Sequence, residues 1–402
     1  MRISKKNIGE SALGLFFIHP FAAFVIALNN LKSKYSFTVI LLFNILFGYT
    51  FIAQNPNIDS YRYIEKFNEY KYSTTNDFLF ELEDYFTFDS RIKDIYEITS
   101  YFIVSRFTHN YHFLMALWAF VFSIFFLKAL RFFVDRPEFK KSIYASLLAF
   151  LFIYSNSIFN INGIRFWTAS WVGVYTIFEV IINKKYKFIF LSLFAPLIHV
   201  SFIILPVVLL LYSLVFKNEK FFIILFFISF FVGEVSLELV QNFQSYLPRS
   251  LQTIIWAYTE GNTVQERLEY YENAPLYAQI LRALPRYFIQ TLMLIFILKR
   301  KHFKAIPEAN FIFLFLLVWL SFTNFTLAIP SFGKRFIVLS VPLLMYLSLI
   351  TYSKIKVLRK VIILIPVVYS YSLLYWVRHM LTVTDPFLII SVFPHIVIKN
   401  LF

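Results

Sequence analysis

The stretch YHFLMALWAFVFSIFFLKALRFFVDRPEFKK (111–141) shows most directly what kind of fold this chain adopts. It begins with about 20 mostly apolar residues, the length that an α-helix needs to cross the hydrocarbon core of a bilayer. It ends in the basic connector RFFVDRPEFKK (131–141). Because short loops rich in Lys and Arg lie on the cytoplasmic side of membrane proteins, the stretch predicts a transmembrane helix over 111–131 whose carboxyl end faces the cytoplasm.

The composition extends this prediction to the whole chain. Of 402 residues, 59% are hydrophobic and 15% charged, 53 are Phe, and the mean hydropathy is +0.66. These values lie outside the range of soluble domains, and no polar block is long enough to form its own core. We therefore predict an all-α polytopic integral membrane protein with one transmembrane domain over 1–402. The chain has no Cys, which excludes disulfides and thiolate metal ligands.

Basic connectors set the predicted topology. They lie at 31–34, 131–141, 184–187, 217–220, 299–304 and 353–360. If all six are cytoplasmic and two helices separate successive connectors, about 12–13 transmembrane helices result. The predicted spans lie near 11–29, 36–53, 111–131, 142–159, 163–183, 186–199, 200–216, 220–238, 279–298, 309–328, 337–352, 361–377 and 386–398. Membrane orientation explains most of the net charge of +15, so a nucleic acid partner is not predicted.

Three regions depart from simple spans. Residues 187–217 are long for one helix and short for two, and they contain two prolines, which predicts two short or broken helices meeting near His199. Two outward loops, about 54–95 and 240–278, are rich in Tyr, Asp and Glu. The segment 94–107 is semi-amphipathic and predicts a partly embedded helix.

Six cations lie at the outward ends of predicted spans, where the positive-inside rule predicts few. They are Arg165, Arg282, Arg286, Lys334, Arg335 and Arg378. An arginine at a helix centre costs roughly 2.5 to 3.5 kcal/mol on insertion scales, and less near an interface. Six such residues at one level of the membrane indicate a shared cause.

The stretch YAQILRALPRYFIQTL (277–292) adds a polar stripe on an apolar helix. Its members are Gln279, Arg282, Arg286 and Gln290. Arg282 and Arg286 are four residues apart and repel each other unless an anion lies between them, and arginine forks bind phosphate oxygens in a bidentate manner. An outward-facing phosphate or pyrophosphate site is therefore predicted. The alternative is that these arginines snorkel to lipid headgroups or pair with carboxylates of the loop 240–278.

The stretch FNINGIRFWTASW (159–171) places further polar groups at the mouth of a span. Asn162, Arg165 and Thr168 are three residues apart and predict one polar helix face. Gly163 allows a chain or ligand to approach closely.

Candidate proton-transfer groups lie on the same predicted side. His199 is an ionisable group at membrane depth, which favours a functional role, although a lone His is also common as a structural residue. Asp59, followed by Arg62 in NIDSYRY (57–63), and Glu97 are candidate acids or bases. Their alternative role is to neutralise the arginines. There is no Walker loop, HExxH or GxSxG motif, so neither a metal nor a cofactor is predicted.

Four segments resemble the EpsG-type members of the Wzy-like bacterial polysaccharide polymerases. They are NPNIDSYRYIEKF (55–67), IYEITSYFIVSRFTHNYHFLMAL (95–117), NINGIRFWTASWVGVYTIFEVIINKKYKFIFLSLFAPLIHVSFIILP (160–206) and FGKRFIVLSVPLLMY (332–346). The resemblance covers most of 20–216 and, more loosely, 310–350. The family usually has glutamine after the arginine of the third segment, whereas Phe166 follows Arg165 in this chain.

The resemblance implies a GT-C-like, metal-independent glycosyltransferase at the periplasmic face of the bacterial inner membrane. It would join undecaprenyl-pyrophosphate-linked oligosaccharide repeats, as in the synthesis of O-antigen, capsule or lipopolysaccharide. Fixed positive charge would stabilise the departing pyrophosphate, and the residues expected to supply it are Arg165, Arg282, Arg286 and Arg335. His199, then Asp59 and Glu97, would accept the proton of the acceptor hydroxyl. The residues expected to bind substrate are Asn162, Arg62, Tyr61, Gln279 and Gln290.

Two other functions remain open from the sequence. A flippase for the same lipid-linked sugar would also need cations, although transporters usually show matching helix breaks in both halves. A ligase that passes finished polymer to another acceptor would use similar residues. Expected partners are the lipid-linked oligosaccharide, the bilayer, and flippase and chain-length regulator proteins.

Overall fold

The computed structural model describes residues 5–53, 58–87, 94–215, 218–232, 273–327 and 332–401, with short pieces between these ranges. In this part of the chain the only β-type pairing is an isolated bridge between Phe51 and Thr384. Six helical segments there are long and apolar enough to cross a membrane: Tyr111–Val134, Ile143–Ile181, Leu276–His302, Pro307–Phe325, Gly333–Thr351 and Lys356–Val383. The predicted all-α polytopic class is confirmed.

The α-helices of the described residues are numbered in chain order. They are α1 (Lys5–Phe16), α2 (Pro20–Asn29), α3 (Lys34–Tyr49), α4 (Asp59–Glu69), α5 (Thr75–Phe86), α6 (Ile95–Ser105), α7 (Tyr111–Val134), α8 (Ile143–Tyr154), α9 (Ile164–Ile181), α10 (Ile189–Ser192), α11 (Phe194–Ile198), α12 (Ile204–Val215), α13 (Glu219–Ile228), α14 (Leu276–Lys299), α15 (Pro307–Phe325), α16 (Gly333–Thr351), α17 (Lys356–Ile362), α18 (Ile365–Val383), α19 (Phe387–Ile390) and α20 (Phe393–Lys399).

Several predicted crossings are shorter than a bilayer requires. The apolar segments Pro20–Asn29, Lys34–Tyr49, Tyr186–Ile198 and Val200–Ser213 each have fewer than 18 residues. The predicted number of 12–13 transmembrane helices therefore stays a prediction, as does the single-domain organisation.

The helix break predicted near His199 is confirmed. α11 ends at Ile198, His199 has extended backbone angles (φ −155°, ψ 114°), and a 3-10 helix starts at Val200. The helix predicted over 94–107 is also present as α6.

The predicted outward loop 54–95 contains two helices, α4 and α5, and its outward position stays a prediction. A capping box between Thr74 and Asp77 starts α5, which explains why this polar stretch is helical. The second predicted loop, 240–278, lies mostly outside the described residues.

The core is built around α7, which packs against both α3 and α9. Gly48 on α3 makes this approach possible, because a Cβ at this position would lie 2.5 Å from the carbonyl oxygen of Met115. Asn44 donates a hydrogen bond to Ser123 across the same pair of helices (2.9 Å). α15 and α16 form a second closely packed pair, against which α13 and α8 lie. The N-terminal ends of α9 and α16 carry side chains of the candidate site.

Candidate functional site

Arg165, near the start of α9, lies in a buried ion cluster. Its Nη1 contacts the carboxylates of Asp94 and Glu97. The three side chains are only 14%, 3% and 8% exposed. Glu97 also contacts Lys66 on α4 (Nζ to Oε1, 3.3 Å) and accepts a hydrogen bond from Tyr101 (3.1 Å). The guanidinium of Arg165 is therefore neutralised inside the protein.

Tyr63 closes this cluster from the side of α4. Its hydroxyl oxygen accepts a hydrogen bond from Nη2 of Arg165 (3.2 Å), and the guanidinium carbon lies 4.6 Å from the centre of the Tyr63 ring. Burial raises the pKa of the Tyr63 hydroxyl to about 12, although the charge of Arg165 acts in the opposite direction. Tyr63 is therefore protonated at neutral pH.

Asp94 connects the ion cluster to the helix break at His199. Its Oδ2 contacts Arg165, while its Oδ1 accepts a hydrogen bond from the backbone N–H of Val200 (2.8 Å). Val200 is the first residue of a 3-10 helix, where a backbone N–H has no partner within the helix. One buried carboxylate thus holds both α9 and the broken segment in position.

A cavity of about 280 Å³ lies beside this cluster. It is lined by Ile58, Asp59, Arg62, Asn160, Asn162, Gly163, Phe166, Trp167 and Arg335. Two guanidinium groups and one carboxylate therefore face the same space. The carboxylate of Asp59 contacts Arg62, and both side chains are largely exposed. The charge balance of the lining is positive, which favours an anionic ligand.

The cavity combines side chains from α4, α16 and the 3-10 helix Ile158–Gly163 that precedes α9. Asn160 accepts a hydrogen bond from the indole Nε1 of Trp376 on α18 (3.0 Å), and Ser60 donates to Asn162. Arg335 reaches the cavity from the start of α16, with its guanidinium carbon 5.8 Å from the centre of the Phe166 ring.

Gly333 fixes the start of α16. A Cβ at this position would lie 2.7 Å from the carbonyl oxygens of Thr323 and Thr326 at the end of α15. Only glycine allows this close approach, which places Lys334 and Arg335 beside the C-terminal end of α15.

Further positive charge lies next to the cavity residues. Lys334 interacts electrostatically with Arg282 and Arg286 of α14, which packs against α16. The guanidinium of Arg286 stacks on Tyr287 (4.8 Å), and its Nε is buried without a hydrogen-bond partner among the described residues. Lys334, Arg282 and Arg286, three of the six cations predicted at outward helix ends, therefore lie close together. Arg335 directly follows Lys334 in the chain. The alternative prediction was that these arginines pair with carboxylates of the loop 240–278, and that loop lies mostly outside the described residues.

The predicted site residues separate into groups. The cavity brings together four of them: Asp59, Arg62, Asn162 and Arg335. Arg165 and Glu97 instead form the buried ion cluster. His199 is not among the residues that line the cavity. Its ring centre lies 5.2 Å from that of Phe166, and its Nδ1 lies 2.7 Å from the Ser201 hydroxyl.

Two glutamines expected to bind substrate have other contacts. Gln290 is buried and donates to Asn324 (3.2 Å), which in turn donates to Ser229 (3.0 Å), so it joins α14, α15 and α13. Gln279 donates to the carbonyl oxygen of Ala274 (2.8 Å). Tyr61 is half-buried on α4 and is not among the residues that line the cavity, and Arg378 is exposed on α18.

The polar face predicted for Asn162, Arg165 and Thr168 is formed only in part, because Arg165 and Thr168 lie on α9 whereas Asn162 precedes it. Asn162 lies in the 3-10 helix, and Asn160 within it has non-helical angles, so the α-helical period does not extend across this point. Asn162 lines the cavity, Arg165 contacts the buried carboxylates, and Thr168 is fully buried.

Sequence reasoning missed Asp94, Asn160 and Trp167. Trp167 follows Gly163 by four residues, a helical spacing that could have indicated a shared face. No local pattern marks Asp94, because Arg165 and Val200, which it contacts, are distant in the chain. Among the residues that the structure describes, no group of three His, Asp or Glu side chains is arranged to hold a metal. Metal independence stays a prediction.

The fold and this site define a polytopic membrane protein with a cation-lined cavity at the mouth of its helices. The sequence model of the EpsG family matches residues 34–391, and the chain therefore belongs to the EpsG family. Membership supports a role of the polysaccharide polymerase type. Neither a curated protein nor a solved structure matches the chain at a significant level.

Proposed function

We propose that this protein joins undecaprenyl-pyrophosphate-linked oligosaccharide repeats at the periplasmic face of the bacterial inner membrane. The growing glycan is transferred from its lipid carrier to the non-reducing end of a new lipid-linked repeat, and undecaprenyl pyrophosphate leaves. The observation that carries the proposal is the cavity lined by Arg62 and Arg335 in a chain of the EpsG family. The working partners in the membrane are a flippase that supplies repeats and a regulator of chain length.

The leaving group explains the cations. When the bond between the anomeric carbon and the phosphate oxygen breaks, negative charge develops on the pyrophosphate. Arginines fixed in place before the reaction stabilise that charge without reorganising. Arg335 and Arg62 are our principal candidates for this contact, with Lys334, Arg282 and Arg286 adding positive potential nearby.

The acceptor hydroxyl must lose its proton as its oxygen attacks the anomeric carbon. A general base has to lie within hydrogen-bond reach of that hydroxyl. Asp59 is the carboxylate that lines the cavity, whereas Glu97 is buried against Arg165 and His199 is not among the residues that line the cavity. We therefore place Asp59 before His199 as the proton acceptor.

The function is tested by incubating the purified protein with its lipid-pyrophosphate-linked repeat, without nucleotide sugar or added metal. Products spaced by one repeat unit are expected when they are separated by size. A substrate that stays unchanged in detergent but moves between leaflets in sealed vesicles would identify a flippase instead. Transfer of finished polymer to a different acceptor, without extension, would identify a ligase.

The assignment of the base gives a second test. Asp59→Asn is expected to slow chain extension by about 10²- to 10⁴-fold, the usual contribution of a general base. His199→Gln is expected to retain extension, since its ring does not reach the cavity. Single-turnover extension rates of the two variants provide the comparison. The reverse pattern would reassign the base to His199.

A further inference from the structure

One amide side chain in the cavity, that of Asn160, has an orientation fixed by its partner. Trp376 donates its indole N–H to Oδ1 of Asn160 (3.0 Å). Because an indole N–H can only donate, it has to meet the amide oxygen, which leaves Nδ2 of Asn160 for other partners. Oδ1 of Asn162 accepts the hydroxyl of Ser60. The cavity therefore combines the amides of Asn160 and Asn162 with Arg62 and Arg335, a set that suits a ligand rich in acceptor oxygens.

One wall of the cavity is aromatic. Trp167 lines it, with the edge of its indole against Gly163. A Cβ at position 163 would lie 2.8 Å from Nε1 of Trp167, so glycine is what allows the indole to occupy this place. Phe166 meets the other side of the indole edge-to-face, with 4.9 Å between ring centres. The backbone below it is also held, because Asn156 donates to the Trp167 carbonyl oxygen (3.2 Å).

Neither a bare phosphate nor a lipid tail uses all of these groups. A phosphate satisfies the arginines but makes no use of the indole, and an acyl or prenyl chain leaves the amide and guanidinium donors of the cavity without acceptors. A pyranose ring offers an apolar C–H face for the indole and oxygens for the amides. The cavity volume of about 280 Å³ is at the lower end of ligand pockets, which suits one sugar ring with its phosphate rather than an oligosaccharide.

We infer that this cavity is a sugar 1-phosphate subsite in which Trp167 packs on the pyranose, Asn160 and Asn162 bind its oxygens, and the arginines bind the phosphate. This inference rests on the proposed function and deepens it, because it places the first sugar of the lipid-linked repeat against Trp167. It makes Trp167 and Asn160 determinants of sugar recognition, separate from the cations that bind the leaving group.

The test measures binding of soluble probes to the full-length protein in detergent by calorimetry or saturation-transfer NMR. The probes are glucose 1-phosphate, galactose 1-phosphate, N-acetylglucosamine 1-phosphate and inorganic phosphate. At least one sugar phosphate is expected to bind more tightly than phosphate. Trp167→Ala is expected to weaken binding of that sugar phosphate by about tenfold through loss of apolar contact, while phosphate binding is unchanged. Arg335→Ala is expected to weaken binding of both the sugar phosphate and inorganic phosphate.

Two further variants guard against an effect of misfolding. Gly163→Ala keeps Trp167 but displaces its indole, so it should reproduce the selective loss, and Trp167→Phe should restore most of the binding. If no sugar phosphate binds more tightly than phosphate, or if Trp167→Ala weakens binding of both kinds of probe equally or of neither, the inference is wrong.

Binding of these probes needs no lipid carrier and no turnover. If sugar phosphates bind selectively but no product ladder forms, the polymerase function is rejected and the subsite is kept. If a product ladder forms but sugar phosphates do not bind selectively, the subsite is rejected and the polymerase function is kept.

Discussion

Arg165→Ala is expected to destabilise the protein by about 3–5 kcal/mol, the usual cost of removing one partner from a buried ion pair. Without the guanidinium, the carboxylates of Asp94 and Glu97 are left facing each other in a buried setting. The measurement is thermal unfolding of the purified protein in detergent. Arg62→Ala is the matched control, because the ion pair of Arg62 with Asp59 is exposed and is expected to contribute no more than about 1 kcal/mol.

A triple variant distinguishes the loss of charge balance in the cluster from the loss of side-chain volume. Combining Arg165→Met with Asp94→Asn and Glu97→Gln removes all three charges while keeping similar volumes, and it is expected to recover much of the lost stability. If Arg165→Ala instead folds as stably as the parent protein and stops chain extension, Arg165 would be a direct ligand of the pyrophosphate. That outcome would contradict the neutralised cluster described above.

Arg335→Ala is expected to reduce chain extension by about 10²- to 10³-fold with little change in stability. The reason is that Arg335 faces the cavity, and among the described residues no carboxylate pairs with it. The magnitude corresponds to loss of one preorganised group that stabilises charge in the transition state. Single-turnover extension with the lipid-linked repeat provides the rate.

Arg378→Ala serves as the control for Arg335→Ala. Arg378 belongs to the same set of outward cations but lies exposed on α18 and is not among the residues that line the cavity. It is expected to leave extension unchanged. Arg335→Lys should recover only part of the rate, because an ammonium lacks the planar fork of the guanidinium. Equal losses in the Arg335 and Arg378 alanine variants would point to a general effect of outward charge rather than to a specific contact.

Local features of the chain explain what could be predicted from the sequence. The membrane class follows from the length of apolar runs, and the break at His199 follows from prolines in a segment too short for two helices. The candidate cations were found because arginine is costly at the ends of apolar helices. Four of the expected site residues do share one cavity.

The errors arise where periodicity changes or where distant segments meet. Gln290 continues the helical spacing of Arg282 and Arg286 and was therefore expected to bind substrate. Its side chain instead donates a hydrogen bond to Asn324 on a neighbouring helix, a contact that depends on helix packing. The face predicted for Asn162 and Arg165 fails because a 3-10 turn interrupts the helical period. The helices Asp59–Glu69 and Thr75–Phe86 lie within the predicted loop 54–95, where the polar composition did not give their bounds.

The helical membrane class and the EpsG-type resemblance follow from the sequence alone, since hydropathy, basic connectors and family motifs are properties of short segments. Which of the cations at helix ends line the cavity depends on how distant helices pack. Arg165 pairs with carboxylates 68 and 71 residues away, whereas Arg335 meets the cavity of Asn160 and Trp167. The physical reason is that a charge is neutralised by whatever lies within a few ångströms of it, and that distance is set by helix packing rather than by order along the chain.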